Sequence, residues 1–430
     1  METLEHKNVV FWYDSHEYIN SWLPEYSQWL ESSPVLASSK EYYKYCLSRL
    51  DYTDVLGIQT KLVSDWVPNN DINIYPLSIQ QLIFANFKGI GTVIDSISDD
   101  AKRLIRENKL SLLILNHREG WEESRYLPSI LEHLKHNGLE KSNVFVVSGN
   151  HNIKSTGFSN VFVSNEFETI ARRQHTSSEL LSDVNEKSYD FLCLNRLLRS
   201  HRTALYSELT RLNLLDSGAF SFIGETYLNK YPEDVITLDE EDREEVESLL
   251  SGAMLDHFNE MHSSGNIVKR EYDLVTNVPI PKDPSELYEK SYISVVTESH
   301  FNEKSSFISE KSFKPIINYH PFIILGETGV LSQLKNMGYQ TFPELFDETY
   351  DTIIDDKERF YVVVAQIRKW CEKTKKEKDA LIESVKDKLI ANHHLFFSQT
   401  PINNKIANNA AMFKTIERIS NEKDMEQNKN

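Results

Sequence analysis

Seven segments of this chain are unbroken apolar runs closed by turn-forming residues, and this pattern constrains the fold more than any other feature of the sequence. They read NVVFWYD, LSLLILN, NVFVVSGN and NVFVSN in the first half, and YDFLCLN, YISVVTES and HPFIILGE in the second. A strand with one wet face alternates apolar and polar residues, whereas a run that is apolar throughout fits a strand buried on both faces, as in a parallel sheet covered by helices. Helical patterns lie between the runs. Trp121 to His136, for example, sets Leu127, Ile130, Leu131 and Leu134 along one stripe. Strand and helix alternate in both halves, which predicts an α/β protein of two Rossmann-like, doubly wound lobes facing each other. Ligands of such sheets sit beyond the carboxyl ends of the strands.

A length of 430 residues exceeds what one core accommodates, so two domains of about 200 residues are expected. The polar stretch Thr176 to Lys187 places their boundary, giving an N-terminal lobe over 1–185, a C-terminal lobe over 186–400, and a helix with a disordered tail over 401–430. The charged pattern Asp355 to His394 reads as one or two helices, and the last ten residues, NEKDMEQNKN, are expected to be disordered. No obvious internal repeat is visible.

Composition enters mainly by exclusion. The hydrophobic fraction of 40% and charged fraction of 26% are those of a globular protein. No run approaches the ~18 apolar residues of a membrane span. The start METLEHKNVVFWYD lacks a signal-peptide layout, so a cytoplasmic protein without a membrane span is expected. Cys46, Cys193 and Cys371 are far apart in sequence, which suits a reducing compartment and gives no zinc spacing. A net charge of −18 repels a polyanion on average, so any nucleic-acid contact requires a local basic surface. The acidic stretch Leu238 to Leu249 reads as a solvated helix face. GxxxxGK[ST], HExxH and GxSxG are all missing, and Gly89-Ile-Gly91 lacks a third glycine.

Two stretches of the second half follow the logic of a diphosphate site. Asn195-Arg196-Leu-Leu-Arg199-Ser200-His201-Arg202 joins a buried strand to a helical pattern, where arginines and free backbone N–H groups can both face a phosphate. Arginines there are also common solvated residues. Thr297-Glu298-Ser299 ends the strand YISVV, and Ser309-Glu310-Lys311-Ser-Phe-Lys314-Pro315 opens a helix that leads to the strand HPFIILG. A Glu and a Lys at such a place offer an acceptor for a ribose hydroxyl and a cation for a diphosphate. The plainer reading is that Glu310 caps its helix and Lys311 is solvated. In the first half, Asn116-His117-Arg118-Glu119-Gly120 follows LSLLIL, Asp14 and His16 follow VVFWY, and Asn150 and His151 follow NVFVVSG, all at strand ends. Trp12, Trp22, Trp29 and Tyr42 offer stacking surfaces, although core packing accounts for most aromatics.

The order of Ser200-His-Arg202-Thr-Ala-Leu-Tyr206-Ser-Glu-Leu209, Glu298-Ser299, Ser309-Glu310-Lys311 and Pro321 to Gly326 resembles the donor-binding half of the fucosyltransferases and, more loosely, exostosin-type glycosyltransferases. It covers roughly residues 189 to 330. It also resembles large-bacteriophage proteins that carry an SEKSFKPI-like segment. The resemblance implies a GT-B fold, with a nucleoside-diphosphate sugar on the second lobe and a hydroxyl acceptor on the first. Arg202 and Lys311 would neutralise the diphosphate and Glu310 would hold the ribose. Glu298 and Ser299 would lie near the transferred sugar, and Asn195 would shape the phosphate loop. Arg196, Arg199, Ser309 and Lys314 complete the donor set. The long insertion 213–288 departs from the fucosyltransferase pattern and leaves the sugar open.

With no Asp-x-Asp in the chain, fixed cations rather than a metal are expected to stabilise the leaving diphosphate. For a catalytic base the first lobe offers Glu119, with His117 behind it, while Asp14, His16, Asn150 and His151 shape the acceptor side or turn the chain. The expected activity is transfer of a hexose or pentose to a glycan, a protein or a hydroxylated phage DNA base, in the host cytoplasm if the protein is viral. The alternatives are a non-catalytic protein that sequesters a nucleotide or nucleotide-sugar, and a structural virion component without nucleotide affinity.

Overall fold

The computed structural model describes residues 8–14, 56, 58–79, 91–116, 123–151, 158, 160–164, 167–174, 187–195, 199–221, 240–263, 285–301 and 306–427. They form two compact units. One comprises 1–169 together with 399–430, and the other comprises 170–398.

The first unit holds a six-stranded sheet made of β1 (Val9–Tyr13), β2 (Gln59–Leu62), β3 (Ile72–Ser78), β4 (Ser111–Asn116), β5 (Val144–Ser148) and β6 (Val161–Val163). The strands lie in the order β2-β1-β3-β4-β5-β6, all parallel. Successive residues of a strand point to opposite faces, so the apolar runs supply two cores. Val10, Trp12, Leu112, Ile114, Val144 and Val146 face the helices α1 (Thr92–Asp95), α2 (Asp99–Arg106) and α3 (Glu123–His136). Val9, Phe11, Leu113, Leu115, Phe145 and Val147 lie on the other face. On α3 the expected stripe is present, with Leu127, Ile130 and Leu134 buried and Leu131 packed beside them. A further helix, α4 (Phe167–Gln174), begins in the first unit, and its residues from Ile170 on are counted with the second.

The second unit holds β7 (Tyr189–Leu194), β8 (Ala219–Ser221), β9 (Ser291–Thr297) and β10 (Phe322–Leu325), parallel and in the order β10-β9-β7-β8. α5 (Ser200–Arg211) leads from β7 towards β8. After it come α6 (Glu240–Leu249), α7 (Ala253–Ser263) and α8 (Ser285–Lys290). α9 (Glu310–Ile317) joins β9 to β10, and α10 (Val330–Asn336), α11 (Asp356–Cys371), α12 (Lys375–Ser384) and α13 (Lys386–Phe397) follow. Gly218 lets the chain pass the Phe191 ring, because a β-carbon there would lie 2.2–2.5 Å from its carbons. Trp370 of α11 is buried and its indole N–H donates to the Asp190 carbonyl at 2.9 Å, tying that helix to β7.

Four expectations need correction or extension. The seven apolar runs are β1, β4, β5, β6, β7, β9 and β10, but β2, β3 and β8 are additional. The Asp355–His394 pattern is three helices, because Thr374 and Glu377 form a capping box that opens α12, and a further break at Val385 opens α13. The C-terminal segment does not stand apart. It forms α14 (Thr400–Gln427), and Met412, Phe413 and Ile416 are buried on the second face of the first sheet. The tail is helical through Gln427, and Arg418 pairs with Glu422 one turn on at 2.9 Å. Among the described residues no helix is long and apolar enough to cross a membrane.

Both sheets share one topology. In each, the first strand is flanked by the second on one side and by the third on the other, so the chain switches sides between β1 and β3 and again between β7 and β9. Such a switch point opens a crevice at the carboxyl edge of the strands.

Candidate functional site

The site in the second unit is built at the β7/β9 switch point. β7 ends at Leu194 and β9 at Thr297, and the Thr297 hydroxyl donates to the Asn195 side-chain carbonyl across the gap between the strands. Asn195 is further fixed by its own N–H to the Ser221 carbonyl, at 2.9 Å. These bonds hold Asn195 to the ends of β8 and β9.

From there the chain turns into α5. Arg199 is the extended N-cap residue, is exposed, and makes no side-chain cap to the helix. Without such a cap, the first-turn amides keep their partial positive charge available to an anion. Ser200 donates to Glu245 of α6, so part of the acidic stretch read as a solvated face reaches this helix start. His201 and Arg202 turn inward. The Arg202 Nη2 donates to the carbonyls of Thr297 and Glu298 at 3.3 and 3.0 Å, and the residue is only 2% exposed. Burial, with the nearby Arg199 cation second, pushes its guanidinium down to about 10, which leaves it charged at neutral pH. The His201 Nε2 lies 3.0 Å from the Glu298 carbonyl. A carbonyl only accepts, so Nε2 carries the proton and Nδ1 is the acceptor. Burial, followed by the Arg202 charge, keeps this imidazole neutral.

Glu298 is fully buried, and its carboxylate is closed by four donors. These are the Ser299 and Ser309 N–H groups, both at 3.1 Å, and the Ser309 and Ser312 hydroxyls, both at 2.5 Å. The expectation that Glu298 faces a transferred sugar gives way to a positioning role: this carboxylate fastens the start of α9 to the end of β9. Gly326 packs closely beside it, since a β-carbon there would lie 3.2–3.3 Å from Glu298 Cβ and Cγ and would press on the side chain. Ser309 is likewise buried, as the N-cap of α9.

Two further cations, Lys311 and Lys314, come from α9 and are half-buried. The Lys311 ammonium lies 3.0 Å from the Ser299 hydroxyl and 3.4 Å from Glu310, with a fifth of the side chain exposed. Burial lowers its pKa, against the pull of Glu310 and Glu298. Glu310 is opposed by burial too, yet Lys311 and Lys314 hold its carboxyl below the usual range. Lys311, Lys314 and Thr297 line a cleft of about 40 Å³. On the α5 side, a 240 Å³ cavity is lined by Ser200, His201, Glu245, Phe301 and Asp355, among others.

One structural residue escaped the sequence reading. Arg359 of α11 is 2% exposed and donates to the carbonyls of Gly326 at 2.9 Å, Ile353 at 2.8 Å and Phe301 at 2.6 Å. It ties together the segments that leave β9 and β10. Its signal was an arginine one turn before Val363, on the buried stripe of α11.

In the first unit, Asp14 is buried and committed, accepting from the Tyr75 hydroxyl at 2.7 Å and from the Ser98 N–H at 3.0 Å. It anchors β1 to β3 and to the cap of α2, so it is a structural residue rather than a wall of an acceptor pocket. Asn150 and His151 follow β5, as expected. His16, His117, Glu119 and Arg196 lie outside the described residues. Among the described residues no three His, Cys, Asp or Glu side chains gather as metal ligands.

No protein-family model matches this chain, and no curated protein matches it. Among solved structures it is similar to the N-terminal domain of Candida albicans trehalose-6-phosphate phosphatase, at 11% identity over 86% of this chain and 75% of that one, with a TM-score of 0.33. At that level of similarity the neighbour bears on neither the activity nor the substrate of this chain.

Proposed function

We propose that this chain is a glycosyltransferase that takes a sugar from a nucleoside-diphosphate donor held at the β7/β9 switch point. The observation that carries the reading is that, past the carboxyl ends of two neighbouring parallel strands, β7 is followed by the uncapped start of α5 with Arg199 exposed, and β9 by Ser299, whose hydroxyl accepts from the Lys311 ammonium of α9. Fixed cations and aligned amides favour a group that gains negative charge, as a diphosphate does when its bond to the sugar breaks. Lys311 and Lys314 neutralise the leaving diphosphate without a metal, and Arg199 takes the outward role first given to Arg202. Arg202 holds the strand end from beneath. Glu310 accepts from a ribose hydroxyl, and Ser299 orients Lys311 by accepting from its ammonium at 3.0 Å. The acceptor, a glycan or a hydroxylated base, gives up a hydroxyl proton to a base for which Glu119, backed by His117, is the proposal.

A thermal-shift panel of nucleoside diphosphates and their sugars tests this. At about 100 times the dissociation constant a ligand adds about 2.7 kcal/mol of stability. One nucleotide series should stabilise the native protein, and Arg199→Ala and Lys311→Ala should each lose that shift while keeping the unliganded melting temperature. Absence of a shift with every nucleotide would overturn the proposal.

A further inference from the structure

The acidic helix α6 borders a cavity to which the donor site gives no role. This cavity of 240 Å³ lies between the first turns of α5 and α11, α6, and the chain just past β9. It is smaller than the roughly 300–1,000 Å³ of pockets for drug-sized ligands, so it takes a small molecule or one end of a longer one. The α6 sequence, EEDREEVESL, sets a single arginine against a run of carboxylates. Of these, Glu245 lines the cavity, together with Asp355, the N-cap of α11, and Asp356. Each has one oxygen engaged by the fold. Glu245 Oε2 accepts from the Ser200 hydroxyl, Asp355 Oδ1 from the Glu358 N–H at 2.7 Å, and Asp356 Oδ1 from Arg359 at 2.5 Å. The second oxygen of each accepts from no described residue. Lys357 lines the cavity as well, but its ammonium donates to the Leu250 carbonyl at 2.8 Å.

Carboxylates gathered at a surface select no ligand by themselves. What singles out this group is His201, which lines the same cavity and is 4% exposed. Its Nε2 proton is spent on the Glu298 carbonyl, and burial keeps the ring neutral, so Nδ1 is a bare acceptor to which no described residue donates. A buried acceptor without a donor is costly and calls for a partner from outside the fold. Water supplies a donor but does not answer the carboxylates; a cation with N–H groups supplies both. A metal ion is a poor match, since among the described residues no three such groups gather as metal ligands. Leu249 and Phe301 add apolar wall. The Phe301 ring is already stacked on His201, with centroids 5.3 Å apart, and capped by the Arg359 guanidinium 4.6 Å from its centroid. It therefore forms no aromatic cage for a quaternary ammonium, and recognition falls to hydrogen bonds beside an alkyl stem.

We infer that this cavity binds a primary alkylammonium ion, whose N–H groups meet His201 Nδ1 and the Glu245 carboxylate and whose charge is balanced by Asp355 and Asp356. Such an ammonium is carried by a small free polyamine or by a lysine side chain of another protein, and the chemistry of recognition is the same for both. The inference does not rest on the glycosyltransferase reading. Three carboxylates repel a phosphate, which separates this cavity from the donor site.

Calorimetric titration of the full-length protein at low salt tests this, with putrescine standing for the free amine and Nα-acetyl-lysine methylamide for the side chain. Tetramethylammonium, which has the charge but no N–H, and magnesium are the controls. One of the two amines is expected to bind one to one, the tighter of them identifying the source, while both controls stay silent. Glu245→Gln and Asp355→Asn remove a charge but keep a carbonyl oxygen for the Ser200 hydroxyl and the Glu358 N–H, so both should melt as the native protein does. Glu245→Gln should weaken amine binding by about tenfold, and the more exposed Asp355→Asn by about threefold. In protein carrying ¹⁵N-labelled histidine, the His201 Nδ1 resonance should move on binding, as that nitrogen goes from bare to hydrogen-bonded. The inference is overturned if neither amine binds, or if tetramethylammonium or magnesium binds as well as the amines. It is equally overturned if both variants keep the native affinity, or if amine binding leaves the His201 Nδ1 resonance in place.

Discussion

Glu298 shows how residue type and residue role separate. Its place at a strand's carboxyl end was legible from the apolar run before it, and so was its nearness to Ser309 and Lys311. What was not legible is that its carboxylate is consumed by four donors, because that depends on how α9 folds back onto β9. The same holds for Arg202, whose charge suggested a phosphate but whose guanidinium bonds strand carbonyls. Glu298→Gln replaces an acceptor-only group by one that must turn an NH₂ towards two of those donors. Such a mismatch in a fully buried site should cost about 2 to 4 kcal/mol. Urea denaturation reads it directly, and a cost below about 0.5 kcal/mol, the level of an ordinary surface substitution, would show that the carboxylate is not held as described.

At the scale of elements, burial on both faces made strands easy to find and edges hard. β2 is a four-residue edge strand with little burial, β8 has three residues, and β3 carries Pro76, a residue that argues against a central strand in sequence. What was not legible about α14 is its packing. A helix was expected within 401–430 ahead of a disordered tail, but not that Met412, Phe413 and Ile416 form a short stripe that covers the second face of the first sheet. Fully burying three such side chains stabilises by about 5 to 8 kcal/mol in total, a large share of what a domain possesses. A chain ending at residue 398 should therefore lose cooperative unfolding of the first unit and bind a hydrophobic dye, while any nucleotide-induced stabilisation of residues 170–398 persists. Retention of a two-step melt with the native amplitudes would show that α14 contributes little.

For the molecule as a whole, the division into two units makes acid stability a property of each separately. In the second unit, His201 and His320 are 4% and 3% exposed. Burial drives the His320 pKa down to about 3, with the nearby Lys187 charge second, and its ring donates to the Ser291 carbonyl and accepts from the Ser294 hydroxyl. His201 is depressed by burial and by Arg202. The sign follows from the unfolded chain, where a histidine takes up its proton near pH 6.5. Above that pH both states are neutral and the stability is fully present. As the pH falls from about 6.5, the unfolded state binds protons that the folded state refuses, and each such histidine withdraws about 1.4 kcal/mol per pH unit until its folded pKa is reached. Two of them together remove about 3 kcal/mol per unit, enough to exhaust a typical domain stability of about 5–15 kcal/mol within a few units. Glu310 acts at the lower end, because its depressed carboxyl stabilises above about pH 4.5 and loses that contribution below it. Urea midpoints of the 170–398 transition measured from pH 7.5 to 5 should fall steeply below about 6.5. His393, also buried and thereby lowered to about 4, adds a third such group, so His320→Gln, which keeps a side-chain donor and acceptor but cannot titrate, should remove roughly a third of the slope, even though it lowers stability at neutral pH. An unchanged slope in that variant would mean that His320 accepts its proton in the folded state, and that the acid sensitivity of this unit arises elsewhere.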